Sequence, residues 1–163
     1  MPFLDPTSQA RDICLRQLTT GPRTAAQLAA AMTGRGIGED VVADVLVRFT
    51  EVGLIDDAAF AAAWVESRHA GRGLARRALA QELRHRGVAA EHVAVAVAEL
   101  EPEREIATAR APAERRLAAS RGQDPAVRFR RTAAVLARKG YSPALTYRVI
   151  REALEAEGTE AGD

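Results

Sequence analysis

Three histidines and one cysteine are the side chains best suited to acid-base, metal or nucleophilic chemistry, and their spacing supports none of these. His69, His85 and His92 lie 16 and 7 residues apart, so no two fall on adjacent turns of one helix. With no set of thiolates to complete a zinc site, a surface placement is expected for all three. Cys14 sits between Ile13 and Leu15 on an amphipathic stretch without a local base. It reads as a small core residue, and as the only cysteine it excludes an internal disulfide. No Walker-type loop occurs, and Gly71-Arg72-Gly73 is too short for a phosphate fingerprint. No catalytic residue, metal or cofactor is therefore expected, and the chain does not read as an enzyme.

The informative chemistry is cationic. Between positions 68 and 86 stand Arg68, Arg72, Arg76, Arg77, Arg84 and Arg86 against Glu82 alone. Between positions 110 and 139, nine cations face Glu114 and Asp124. Projected at about 100° per residue, Arg128, Arg131, Arg138 and Lys139 share one arc, and Phe129, Ala133 and Leu136 take the opposite one. Arg76, Arg77 and Arg84 form a similar arc beside Leu79 and Leu83. Such arcs are either ordinary solvated helix faces or a positive ridge that follows an acidic protein groove or a phosphate backbone. Arg supplies bidentate contacts to carboxylate or phosphate, and Lys139 is the only lysine. Only Tyr141 and Tyr147 lie near these arcs to stack on bases, so a protein surface with auxiliary phosphate contacts fits better than nucleic acid alone.

These cations are placed by a repeat of about fifty residues. Gly36, Gly87 and Gly140, 51 and 53 residues apart, each follow a cation and precede an apolar residue, with a large apolar residue four positions earlier at Met32, Leu83 and Leu136. Each copy reads as helix, glycine turn, helix: the glycine supplies a left-handed residue after the helix, and the cation complements the helix dipole. The following helices open at Gly38, Ala89 and Ser142, the last with Pro143 at its first position. A further helix precedes each pair, over roughly 10–18, 57–70 and 103–121, and Pro112 is expected to kink or split the third. Phe60 and Trp64, one turn apart, are expected to pack in the core, with Arg68 at that helix's carboxyl end.

The 163 residues are 47% hydrophobic and only 4% aromatic, so the core is built from aliphatic side chains and many alanines, which suits helices. Net charge is +1, so any positive field is local. The first six residues carry an acid where a leader needs a basic segment, and no run of 18 uncharged apolar residues occurs. A soluble, cytoplasmic protein with no membrane contact, acting as a monomer, is expected. The fold expected is all-α: three tandem three-helix repeats forming an elongated array. The units are 1–56, with a short N-terminal extension, 57–101, and 102–163, whose acidic end after Leu154 is expected to fray.

The segment Gly53-Leu54-Ile55-Asp56-Asp57, then Phe60-Ala61, Trp64 and Arg68, then Gln81-Glu82-Leu83 and Arg86-Gly87-Val88, resembles the RecX family of bacterial recombination regulators. So do Leu136-Ala137-Arg138-Lys139-Gly140-Tyr141-Ser142-Pro143 and, in the first unit, Arg23-Thr24 with Leu28. Ala78 and the turn Gly71-Arg72-Gly73-Leu74 depart mildly from that pattern. The resemblance implies a modulator without catalysis of its own. Its partner would be the RecA filament on single-stranded DNA, whose growth, ATP hydrolysis and strand exchange it would suppress, in homologous recombination, DNA repair and the SOS response. The binding residues expected on the basic faces are Arg68, Arg72, Arg76, Arg77, Arg84, Arg128, Arg131, Arg138 and Lys139. The alternative is a direct DNA-binding regulator of helix-turn-helix type, although the stretch 91–100 offers few side chains to read bases.

Overall fold

A computed structural model describes residues 5–160. Among them are nine helices and no strand: α1 (Pro6–Thr19), α2 (Ala25–Gly34), α3 (Glu39–Glu51), α4 (Asp57–Arg72), α5 (Arg76–His85), α6 (Ala90–Ala98), α7 (Pro102–Ala119), α8 (Pro125–Arg138) and α9 (Pro143–Glu160). They run as three consecutive triplets, so the all-α repeat read from the sequence is the fold. The reading of the chain's start falls partly on residues 1–4, and that of its tail partly on 161–163, which lie outside the described residues.

Two elements differ from expectation. α7 is one helix from Pro102 to Ala119 despite Pro112. Proline there removes a single amide, the one that would bind the Thr108 carbonyl, while Ala109, Ala113 and Leu117 stay buried on one stripe and hold both halves to the same core. The acidic tail does not fray within the described residues, because α9 continues to Glu160. Glu157 anchors it through Arg128 at 2.8 Å, with Arg121 at 3.6 Å.

The chain divides into two compact units. One holds the described residues up to Trp64 together with Glu82–Ala96, and the other holds Val65–Gln81 together with Val97 onward. The first is built on Ala10, Ile13, Cys14, Leu28, Met32, Val45 and Phe49. The second is built on Ala109, Ala113, Leu117, Leu136, Val149 and Ile150. Burial raises the Cys14 thiol pKa, which keeps it protonated and inert.

The glycine turns close identically. The amides of Ile37, Val88 and Tyr141 donate to the carbonyls of Met32, Leu83 and Leu136, five residues back. Gly36, Gly87 and Gly140 have φ of +82°, +81° and +92°, and the apolar residue after each is buried.

Each of the later two turns also receives the start of the preceding repeat's middle helix. In the first unit the Thr24 hydroxyl, at the N-cap of α2, donates to the Arg86 carbonyl at 2.7 Å, and the Ala25 amide donates to Asp57 at 3.0 Å. In the second unit the Ala75 amide donates to the Lys139 carbonyl at 2.8 Å, and the Arg76 amide to Glu105 at 3.2 Å. The glycines make this approach possible. A Cβ on Gly87 would sit 2.2 Å from that of Ala26, and one on Gly140 would sit 2.7 Å from the nitrogen of Ala78.

Gly36 shares the dihedral but meets nothing within 4 Å among the described residues, so substitution separates conformational strain from steric conflict. Gly36→Ala should cost about 1 kcal/mol, the left-handed penalty alone. Gly87→Ala should cost about 2–4 kcal/mol, because overpacking against Ala26 is added. Urea unfolding of the two variants, read at equal m-value, checks the difference.

Candidate partner-binding surface

The turn joining α4 to α5 is held at four successive residues. Lys139 Nζ donates to the Arg72 carbonyl at 2.9 Å and the Tyr141 hydroxyl to the Gly73 carbonyl at 2.7 Å. His69 Nδ1 bonds the Leu74 carbonyl at 2.7 Å, and the Ala75 amide donates to Lys139. His69 is thus a buried tether, 2% exposed, and not the surface residue expected. Because a carbonyl only accepts, Nδ1 carries the proton, and in the neutral ring Nε2 accepts from the Thr108 hydroxyl at 2.8 Å. A histidine whose two nitrogens meet a carbonyl and a hydroxyl is well satisfied in a core, which spacing among histidines could not reveal.

Tyr141 is likewise unavailable for stacking on a base. It is 4% exposed, and its hydroxyl pKa is pushed up to about 12 by burial, with the negative charge of Glu105 adding to the effect. Tyr147 is exposed and lies 5.8 Å from the Phe129 ring.

This fixed turn gathers cations from two repeats. Arg72 and Arg138 are exposed and flank the Lys139 bond to the Arg72 carbonyl, and exposed Arg77 adjoins Ala78, the residue packed on Gly140. Arg131 is exposed two turns before Arg138 on the same face of α8, with one long contact to Gln123 at 3.4 Å. Lys139 is half-buried with its ammonium on Arg72, so it braces the site. Arg68 is half-buried, and Arg84 is exposed in the other unit.

Two expected members of the basic faces turn inward. Arg76 donates from Nε and Nη2 to the Leu100 carbonyl and lies 3.5 Å from Glu105. Arg128, expected on the exposed arc, has a side chain only 12% exposed. It donates to the Leu117 carbonyl at 2.8 Å, to both Glu157 oxygens at 2.8 and 3.0 Å, and to the Ser120 hydroxyl at 3.2 Å. Angular projection put Arg128 beside Arg131, but the end of α7 exposes carbonyls at that level and α9 brings a carboxylate. Hydrogen bonding to Arg128, then its charge, holds Glu157 below the ordinary carboxylate range.

Phe60 and Trp64 are half-buried rather than core residues. Their rings stack at 5.8 Å, Arg86 lies 3.9 Å over the indole, and Trp64 Nε1 donates to Glu82 at 3.1 Å. The guanidinium on Trp64 belongs to Arg86 of the glycine turn, a contact between sequence-distant residues that no local pattern encodes.

Residues 10–49 match the family description "RecX, first three-helix domain" and residues 56–97 match "RecX, second three-helix domain". The protein named Regulatory protein RecX from Thermobifida fusca is 60% identical over 153 residues, which are 94% of this chain and 83% of that one. The chain belongs to the RecX family. Its counterpart of that name from Streptomyces coelicolor is 58% identical over 159 residues, covering 98% of this chain and 85% of that one. The crystal structure of RecX from Lactobacillus salivarius superposes with a TM-score of 0.86 at 17% identity, covering 91% of this chain and 97% of that one. A second structure, titled as regulatory protein RecX, gives 0.81 at 24% identity, with 91% and 72% covered. These two show the fold alone, while the close relatives support a RecX regulatory role. Among the described residues, no group of three His, Cys, Asp or Glu side chains is placed to hold a metal, and no helix is long and apolar enough to cross a membrane.

The two kinds of arginine should separate experimentally. Arg128→Ala removes the nearest donor to Glu157 and one donor to the Leu117 carbonyl, leaving them Arg121 and Ser120, and should cost about 2 kcal/mol. Arg131→Glu with Arg138→Glu should change stability by less than about 1 kcal/mol, as exposed substitutions do.

Glu157 adds a pH dependence. Its folded pKa lies below the ordinary value of 4.5, so the bond to Arg128 stabilises fully above that value and weakens as pH falls through the folded pKa. Glu157→Gln should therefore reduce the loss of stability on acidification below about pH 4.5 while lowering stability at neutral pH. Urea midpoints measured between pH 3 and 7 check this.

Proposed function

We propose that this chain is a non-catalytic regulator that binds the RecA filament on single-stranded DNA and limits its growth, ATP hydrolysis and strand exchange. Its place would be in homologous recombination and DNA repair. The observation that carries the reading is the pairing of near full-length family membership with the exposed cations Arg72, Arg77, Arg131 and Arg138, borne on and beside a turn fixed at four successive residues. A fixed backbone beneath the arginines reduces the ordering that binding requires, and their guanidinium groups meet carboxylates bidentately. An acidic filament groove is the surface they suit, with DNA phosphate as an auxiliary contact.

Direct sequence reading of DNA is less well supported. The last helices of the repeats would be the recognition helices, yet α6 carries no Lys or Arg. In α9, Arg148 and Arg151 are engaged by Glu152 and Glu155 at 3.1 and 3.7 Å.

The deciding experiment is DNA-dependent ATP hydrolysis by purified RecA on single-stranded DNA with this protein titrated in. Inhibition is expected, and Arg131→Glu with Arg138→Glu should raise the concentration for half-inhibition at least tenfold with the fold intact. Unchanged hydrolysis together with no co-sedimentation with filaments would overturn the reading. Equal affinity for naked and RecA-coated DNA would favour the DNA-binding alternative.

A further inference from the structure

The glycine turns of the three repeats close by the same hydrogen bonds, yet among the described residues only two of them carry a docked helix start. The Arg86 carbonyl receives the Thr24 hydroxyl and the Lys139 carbonyl receives the Ala75 amide, while Gly87 and Gly140 lie against Ala26 and Ala78. At the end of α2, Arg35 and Gly36 occupy the equivalent positions, both exposed, with nothing within 4 Å of a Cβ placed on Gly36 among the described residues. α2 has no basic residue in its last turn, whereas α5 has Arg84 and His85 there and α8 has Arg138. The last turn of α2 thus carries the fewest cations of the three, with Arg35 at its cap. Beside it opens a groove of about 480 Å³ between α1 and α2, whose α2 wall is the small residues Ala30, Ala31 and Gly34 and whose α1 wall is mostly polar, with Asp12 and Arg16 beside Ile13. Small residues let a second backbone come close.

We propose that the glycine turn closing α2 is a socket for the first turn of a helix on the protein partner, seated as α2 and α5 are seated on the turns of the repeats that follow them. The two occupied turns specify what fits. The incoming helix presents an amide or a Ser/Thr hydroxyl at its N-cap to the Arg35 carbonyl, and an Ala or Gly in its first turn packs on Gly36. Its positive dipole end meets the negative end of α2.

A second copy of this chain fits poorly. α8, whose start is not seated on a following repeat, has 14 residues where α2 and α5 have ten, and its first turn is already capped by Asp124 on the Val127 amide with proline behind it. Asp124 would bring a carboxylate onto the carbonyls of the socket. A nucleic-acid backbone is disfavoured for the same reason, since phosphate and carbonyl oxygens both only accept.

The inference rests on the RecA filament being the partner, and the test keeps the two apart. Asn tolerates the left-handed conformation, so Gly36→Asn fills the socket while the turn keeps its shape. Gly53→Asn and Gly122→Asn are controls, since both glycines have positive φ, +79° and +84°, and a Cβ on either meets nothing within 4 Å among the described residues. Binding of each variant to RecA filaments assembled on fluorescent oligo(dT) is measured by anisotropy, alongside thermal melting and sedimentation velocity.

Gly36→Asn should melt as wild type and bind at least tenfold more weakly, while both controls bind as wild type. Wild-type binding with Gly36→Asn unchanged, or with all three variants equally weakened, would overturn the socket and leave the filament reading standing. No wild-type binding would overturn the filament reading and this choice of partner with it. Two further results would assign the socket to a different occupant and so overturn the proposal. One is wild-type self-association lost in Gly36→Asn. The other is an equal drop in melting temperature for Gly36→Asn and for a chain lacking residues 1–4.

Discussion

A helix end cannot be buried until its terminal amides or carbonyls have partners, and this repeat meets both requirements with one contact. The first turn of a middle helix offers unpaired N–H groups and a positive dipole end; the last turn of the next repeat's middle helix offers unpaired carbonyls and a negative one. Bringing them together satisfies both, as Thr24 does on Arg86 and Ala75 on Lys139. The closeness this needs excludes any Cβ at the meeting point, and the reversal of chain direction after the helix needs positive φ. Glycine alone meets both conditions at Gly87 and Gly140. A carboxylate from the next repeat's first helix, Asp57 or Glu105, completes each junction by taking the following amide.

The same contact explains why cations collect where they do. A helix carboxyl end favours Lys and Arg on electrostatic grounds before any partner is considered, so basic residues at Arg84 and Arg86 and at Arg138 and Lys139 are first a property of the turns. One cation of each group serves the fold: Arg86 covers Trp64, and Lys139 holds the Arg72 carbonyl. Their neighbours Arg84 and Arg138 remain exposed. Solvated helix face and binding surface are therefore not alternatives for these arcs, because the electrostatics that terminate the helices also deliver exposed guanidinium groups on rigid backbone.

Much of this was legible from spacing. The glycines, the apolar residues four before and one after each of them whose carbonyl and amide close the turn, and the openings at Gly38, Ala89 and Ser142 all follow from local rules, and the helices begin where those rules put them. What escaped depends on groups distant in sequence. The inward turn of Arg128 needs the carbonyl of Leu117 and the carboxylate of Glu157; the burial of His69 needs Leu74 and Thr108; the cover over Trp64 needs Arg86. Helical projection treats a flank as solvated unless a hydrophobic residue marks it, and an arginine whose guanidinium reaches a helix terminus violates that assumption. Tyr141 could have been placed correctly, since it occupies the apolar position after Gly140 that Ile37 and Val88 fill in the other repeats.

The third repeat shows how a chain of such junctions is stopped. By the spacing of the glycines, the position equivalent to Thr24 and Ala75 is Arg128, and there the helix does not begin but continues one turn further back to Pro125. A helix start lengthened in this way and capped by its own Asp124 no longer presents the amides that another repeat's turn would accept. Arg128, at the level where a junction would form, closes on Glu157 and the end of α7, so its charge is satisfied within the same repeat. Repeat arrays need polar closing units to prevent open-ended stacking. Here the closure is local to α8 and has no counterpart at α2, whose turn keeps the geometry of the occupied junctions with its glycine face clear among the described residues. The first and last middle helices among the described residues are therefore chemically unlike: α8 is self-capped by a carboxylate at its start, and α2 offers carbonyl acceptors at its end. That inequality gives the chain a direction in which it can add a helix from outside itself.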